Sequence, residues 1–202
     1  MLESQHTLFT FATVRAQQRK ISTMSDSNQW TIDGAHSSVS FSVRHMMISN
    51  VRGEFQKLSG SVTWDPAKPE ATQINTSIEV ASISTREAQR DGHLKSADFL
   101  DAENFPDITF KSTSAKANGK DSLSVVGDLT IHGTTKQVTL DVEGPSAEAP
   151  DPFGNRRVGA TATTKIKRDE FGMVWNAALE AGGVLVGNEV KVTIDISLIK
   201  QK

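Results

Sequence analysis

The stretch Val190–Leu198, VKVTIDISL, decides the fold: five apolar side chains alternate with Lys191, Thr193, Asp195 and Ser197 without a slip. That is the period of two of a half-buried β-strand, not the 3.6-residue stripe of an amphipathic helix. Working back along the chain, the same period recurs. Val158, Ala160, Ala162, Thr164 and Ile166 share one face of a strand whose inward residues are small. Val138, Leu140 and Val142 form another, joined through the tight-turn pair His132-Gly133 to Leu123, Val125, Gly127, Leu129 and Ile131. Ile108, Phe110 and Ser112 precede these, after a strand of Ile74, Thr76, Ile78 and Val80. In VRGEFQKLSGSVTWD the apolar set moves from Val51 and Phe55 to Leu58, Val62 and Trp64, a change of parity that a bulge or bend near Gly60 would explain. Val39, Phe41 and Val43 open the series, and their parity carried one step further turns His45 to the apolar face.

About eight antiparallel strands with one apolar face each imply a sandwich or an up-and-down barrel. Closure favours the barrel, because pairing the last strand with the first removes an edge that would otherwise template aggregation. An eight-stranded barrel either fills itself with side chains or holds one small ligand. Gly127, Ala160 and Ala162 on the wall permit a tunnel.

One segment interrupts the alternation at length. Arg86–Phe110, REAQRDGHLKSADFLDAENFPDITF, mixes His93, Lys95, Phe99, Leu100 and Phe105 with turn residues. A connector this long in a compact domain needs a reason, and its composition suits a short helical lid over an apolar mouth. Gly144–Asn155 reads as a surface loop and Phe171–Leu179 as a short helix or apolar loop.

The charge balance, 22 basic against 24 acidic residues for a net -2, leaves no footprint for nucleic acid. The absence of cysteine removes disulfides, thiolate metal sites and cysteine nucleophiles. No apolar run reaches the length of a membrane-spanning helix. Residues 1–29 read as a disordered N-terminal extension, with Met24 as an alternative start, and residues 30–202 as the barrel domain. The apolar patch from Leu8 to Val14 follows Glu3 and lacks the flanks of a secretory signal. A cytoplasmic location is expected on that basis, with the periplasm as the alternative.

Six ordered segments carry a family resemblance: HSSVSFSVRH (36–45), VRGEFQKLSGSV (51–62), RDGHLKSADFLDAENFPDITFKS (90–112), GDLTIHGTTKQVTL (127–140), RDEFGMVW (168–175) and VGNEVKVTIDI (186–196). Together they resemble the bacterial YceI family of lipid- or polyisoprenoid-binding proteins from Trp30 to Leu198. The resemblance implies an all-β, eight-stranded antiparallel lipocalin-like barrel, often a homodimer, with a long isoprenoid or fatty-acyl chain in an apolar pore and no cofactor besides that lipid. Leu100-Asp101 stands where the family often has an aromatic residue followed by Asp, a departure confined to the lid.

Joined with the strand parity, the resemblance leads us to expect a non-catalytic carrier or sequestering protein for a long-chain amphiphilic lipid of polyisoprenoid, isoprenoid-quinone or fatty-acyl type. Its tunnel is expected to be lined by Val39, Phe41, Val43, Ile78, Val80, Phe110, Leu129, Ile131, Leu140, Ala160, Ala162 and Ile194. The head group or mouth is assigned to His45, His93, Arg168, Phe99 and Trp175. Blander roles stand beside these: a backbone-bonded His45, an Arg90-Asp91-His93 cluster pinning the lid, an Arg168 paired with Asp169 or a lid carboxylate, and His132 in a turn. Two other classes compete. A metal enzyme would gather His45, His93 and His132, although none of them has the H-x-H or HExxH spacing that places two ligands on one element. A barrel filled by its own side chains would serve as a ligand-free, stress-related scaffold.

Overall fold

The computed structural model of the chain describes residues 28–180 and 182–201, so the extension up to Ser27 lies outside it. The strands are β1 (Gln29–Ile32), β2 (Ser38–His45), β3 (Ser49–Phe55), β4 (Leu58–Thr63), β5 (Gln73–Glu79), β6 (Ile83–Ser84), β7 (Asp107–Ala117), β8 (Ser122–Ile131), β9 (Thr134–Glu143), β10 (Ala149–Pro150), β11 (Arg156–Lys167) and β12 (Val186–Lys200). One helix, α1 (Ala88–Lys95), lies between β6 and β7.

Four wall strands are each broken into two, β9 and β10 among them along one edge of β11, which reduces these pieces to an eight-stranded closed barrel. β1 and β2 form one wall strand, both pairing with the same edge of β12: Trp30 sits opposite Lys200, and Phe41 opposite Val192. The break falls at Asp33-Gly34, where the Asp33 carboxylate accepts from the Ala35 amide at 3.1 Å and its carbonyl from the His36 amide. β3 and β4 form the second wall strand, and β5 and β6 the third. Their breaks hold each other: the Gln56 amide donates to the Ser82 carbonyl and the Lys57 amide to the Ser82 hydroxyl at 3.1 Å. The parity change in the second strand therefore sits at Gln56-Lys57, not near Gly60. Gly60 instead permits a close backbone approach. At φ 153° it lies so near β5 that a Cβ would fall 2.3 Å from the Asn75 carbonyl.

From β5 the meander runs through β7, β8 and β9 to β11 and β12, and β12 returns to β1 and β2, so the last strand closes on the first. Pairing is long nearly everywhere: β11 meets β12 from Arg157 to Lys167, and β8 meets β9 along all of Ser122–Ile131. The junction of β9 with β11 is the exception, holding only at Thr161, Ala162 and Thr163 opposite Glu143, Val142 and Asp141.

His132 (φ 50°) and Gly133 (φ 70°) form the two-residue hairpin between β8 and β9, as their pairing in sequence predicts. Inward side chains merge into a continuous apolar interior, with Trp30 and Trp64 packed 6.0 Å apart at the end of the barrel opposite the helix.

Candidate functional site

Two glycines shape the interior. The Phe110 ring lies against Gly127 and the Phe41 ring against Gly53, so closely that a Cβ on either glycine would meet its ring at 2.4 Å. Each aromatic side chain is thereby laid along the wall instead of across the lumen. With Ala160 and Ala162 on β11, this leaves a cavity of about 250 Å³ open to the centres of water-sized groups. A water-sized group takes up roughly 30 Å³ when packed, so the lumen has room for on the order of ten methylene-sized groups.

Of the twelve residues assigned to the tunnel, Val39, Phe41, Val43, Ile78, Phe110, Leu129, Ile131, Leu140, Ala160, Ala162 and Ile194 border this cavity. Val80 does not: the strand ends at Glu79, and Val80 opens a 3-10 turn that buries it beside the lumen. The wall also includes Trp64, Thr72 and Pro145 at the end opposite the helix. Trp64 continues the parity of Leu58 and Val62, whereas Thr72 and Pro145 lie outside regular alternation and strand parity could not identify them.

The lid is built by local polar bonds. Glu87 caps α1, its carboxylate accepting from the amides of Gln89 (3.0 Å) and Arg90 (2.6 Å). Thr85 is the anchor: Asp91 accepts from its amide at 2.8 Å, while Arg90 donates to its hydroxyl at 2.7 Å and its carbonyl at 3.0 Å. Held this way, the lid places Leu94, Phe99 and Leu100 over the cavity. The leucine at position 100 thus fills a lid position that faces the lumen.

Of the residues assigned to a head group, His93, Phe99 and Trp175 pack on one another at the lid. His93 leaves the Arg90-Asp91 pair and meets Asp98 at 2.8 Å, its ring edge-on to Phe99 and Trp175 at 5.0 and 4.8 Å. Trp175 and His93 close the lid from outside and do not border the lumen. Neither does His45, because β2 ends there and the chain turns away through Met46 and Met47 at φ 49° and 61°.

Arg168 does border the cavity and is only 6% exposed, yet it pairs with no carboxylate among the described residues. Its Nη1 donates to the carbonyls of Met173 (2.6 Å) and Trp175 (2.8 Å), and its Nε to that of Gly187 (3.1 Å). Burial lowers its pKa from the ordinary arginine value. Its best donors are therefore committed to holding the 172–187 loop onto the barrel end, not to a ligand.

His132 serves its turn, with Nδ1 3.3 Å from the Phe171 carbonyl. The structure does not unite His45, His93 and His132: among the described residues, no three His, Cys, Asp or Glu side chains form a metal-sized cluster.

A closed antiparallel barrel folded around one apolar lumen is a lipocalin-like architecture. The chain belongs to the YceI-like domain family, which residues 30–198 match. It is 37% identical over 170 residues to a UPF0312 protein of Pseudomonas putida, covering 84% of each chain. It is 39% identical over 162 residues to a UPF0312 protein of Staphylococcus aureus, covering 80% of this chain and 92% of that one. Among solved structures it resembles BcnA of Burkholderia cenocepacia, with TM-score 0.71 and 26% identity over 82% of this chain and 98% of that one. A polyisoprenoid binding domain from Saccharophagus degradans shares the fold, with TM-score 0.63 and 16% identity over 85% of this chain and 98% of that one.

Proposed function

We propose that the protein binds and carries or sequesters a long-chain amphiphilic lipid, without catalysis, with the hydrocarbon tail in the lumen. The observation that carries this reading is the cavity itself, bordered almost wholly by apolar side chains from every wall strand and the lid. The family membership and the name of the Saccharophagus domain support the same ligand class.

The energetics agree. Each methylene moved out of water is worth about 0.8 kcal/mol, so on the order of ten supply roughly 8 kcal/mol, the scale of micromolar affinity, before ordering costs are subtracted. Leu94, Phe99 and Leu100 then act as the inner face of the lid against one end of the tail.

Native mass spectrometry of the purified protein, with organic extraction of the same sample, tests the reading. The expected result is an added mass that extraction removes and identifies as a long-chain lipid. A protein recovered at its own chain mass that also takes up neither a prenyl alcohol nor a fatty acid would overturn it.

A further inference from the structure

The weak junction between β9 and β11 lies directly over the lumen. Continuing the register beyond Thr163-Asp141 would pair Lys165 with Thr139 and Lys167 with Gln137, but the ladder stops. In its place the Thr164 side chain crosses the gap, its hydroxyl donating to the Thr139 carbonyl at 2.8 Å. Phe171, 1% exposed, borders the groove beside this gap, on the short Arg168–Phe171 turn that packs against both strands. A barrel closes in order to remove strand edges, and this one leaves part of two edges unjoined.

Outside the gap is a groove whose charged border consists of Lys136, Lys165, Lys167 and Lys191 with two carboxylates, Asp141 and Glu170, so cations outnumber anions there. Four residues, Val138, Thr164, Ile166 and Val192, border both this groove and the internal cavity. Only side chains therefore separate the two compartments. Lys165 and Lys167 have loose carboxylate neighbours, Glu189 at 3.5 Å and Glu170 at 3.4 Å. Lys136 and Lys191 make no ion pair among the described residues.

We propose that this seam is a lateral portal, and that the groove seats the anionic head group, phosphate or carboxylate, of an amphiphile whose tail passes between β9 and β11 into the lumen. The inference rests on the lipid-binding reading and adds the head-group class and the route. Sequence parity does not reveal it: Lys165, Lys167 and Lys191 sit on the outer faces of β11 and β12, where each alone reads as an ordinary solvated residue, while Lys136 shares the parity of Val138 and Leu140 on β9 yet is exposed.

The test compares geranylgeranyl phosphate with geranylgeraniol, the same tail with and without the charge, on the full chain. The parent is expected to prefer the phosphate, and Lys136→Gln/Lys191→Gln to lower that preference about tenfold or more. A second arm uses the absence of native cysteine. In Thr139→Cys/Lys165→Cys, bridging the thiols with a short bis-maleimide is expected to slow lipid loading about tenfold relative to the same variant unbridged.

An unchanged loading rate on bridging, or an unchanged preference in the lysine variant, would overturn the portal while leaving the carrier reading intact. Inorganic phosphate binding with the same lysine dependence, and competing as well as the prenyl phosphate, would also overturn it by showing a general anion site. Failure of the parent to bind either amphiphile would instead remove the underlying carrier reading.

Discussion

The two ends of the barrel are closed by different physics. At the lid end the contacts are local in sequence: Arg168 reaches carbonyls 5, 7 and 19 residues away, and Arg90 and Asp91 reach back to Thr85. At the opposite end Arg157 reaches across the sequence, donating to Asp33, 124 residues away, at 2.6 Å and to the Ser197 hydroxyl, 40 residues away, at 3.2 Å, as well as to nearby Asp151 at 2.7 Å. Glu148 adds a second bridge there, to Arg156 at 2.7 Å and Lys200 at 3.0 Å. Carbonyl dipoles close one end and paired charges the other. A closure made of local contacts can open as a unit without unzipping the wall, whereas one that staples distant strands opens only with the barrel. Backbone amides of the lid and of residues 172–185 are accordingly expected to exchange with solvent faster than those of β1, β11 and β12, as hydrogen exchange would show.

The largest expected effect is at Arg168. Replacing it with methionine keeps the apolar stem but strands the buried carbonyl of Met173, worth about 1–3 kcal/mol when unpaired, and the part-buried carbonyls of Trp175 and Gly187, which cost less. Because the loop can turn some of them toward water, a net loss of about 2–4 kcal/mol is expected in urea unfolding. Faster release of bound lipid should accompany it. A variant with parental stability would show that the loop holds itself and that the guanidinium is no lock.

A smaller effect is expected midway between the ends. Ala162 is buried on β11 and faces the lumen. Ala162→Trp should overpack it by about 1–3 kcal/mol while dividing the tunnel. Lipids extracted from this variant should then be shorter than those from the parent, since only one half of the lumen stays connected to the lid. An unchanged chain-length profile would place the tail elsewhere.

What was legible in the sequence follows the same division. Inward parity read from VKVTIDISL and its counterparts identified the wall and its closure, because a strand with one apolar face allows a single orientation. The breaks were harder to read. Asp33-Gly34 carries a turn signal, but Gln56-Lys57 carries none; it is set by Ser82 of the neighbouring strand. Val80 failed as a lining residue for the same reason, since the 3-10 turn that moves it exists to present Ser82. Arg168 was found by parity, yet its partners are backbone atoms of a loop without period, which no side-chain pattern encodes. The Arg157 bridge escaped notice because Asp33, Asp151 and Arg157 converge only once the barrel has closed.

That bridge supplies the smallest and most selective test of the comparison. Hydrogen bonds from Arg157, and next from His36, lower the Asp33 pKa from 3.8 to about 2. Arg157, with Asn155, also holds the Asp151 carboxyl well below the usual range. A carboxylate whose folded pKa lies below its unfolded value contributes stability in full above the unfolded value, and that contribution fades as pH falls toward the folded one. The melting temperature of the parent is therefore expected to drop as pH is lowered from about 5 toward 2. Arg157→Gln should melt lower than the parent near neutrality, and the gap between the two should narrow across the same window. Added salt should narrow it too, since these charges are partly open to solvent. Arg168→Met is the control, because its partners are carbonyls that do not titrate, and its deficit should persist unchanged through that window. Parallel melting curves for parent and Arg157→Gln would mean that paired charge does not hold the far end closed, and the two ends would then differ only in sequence range.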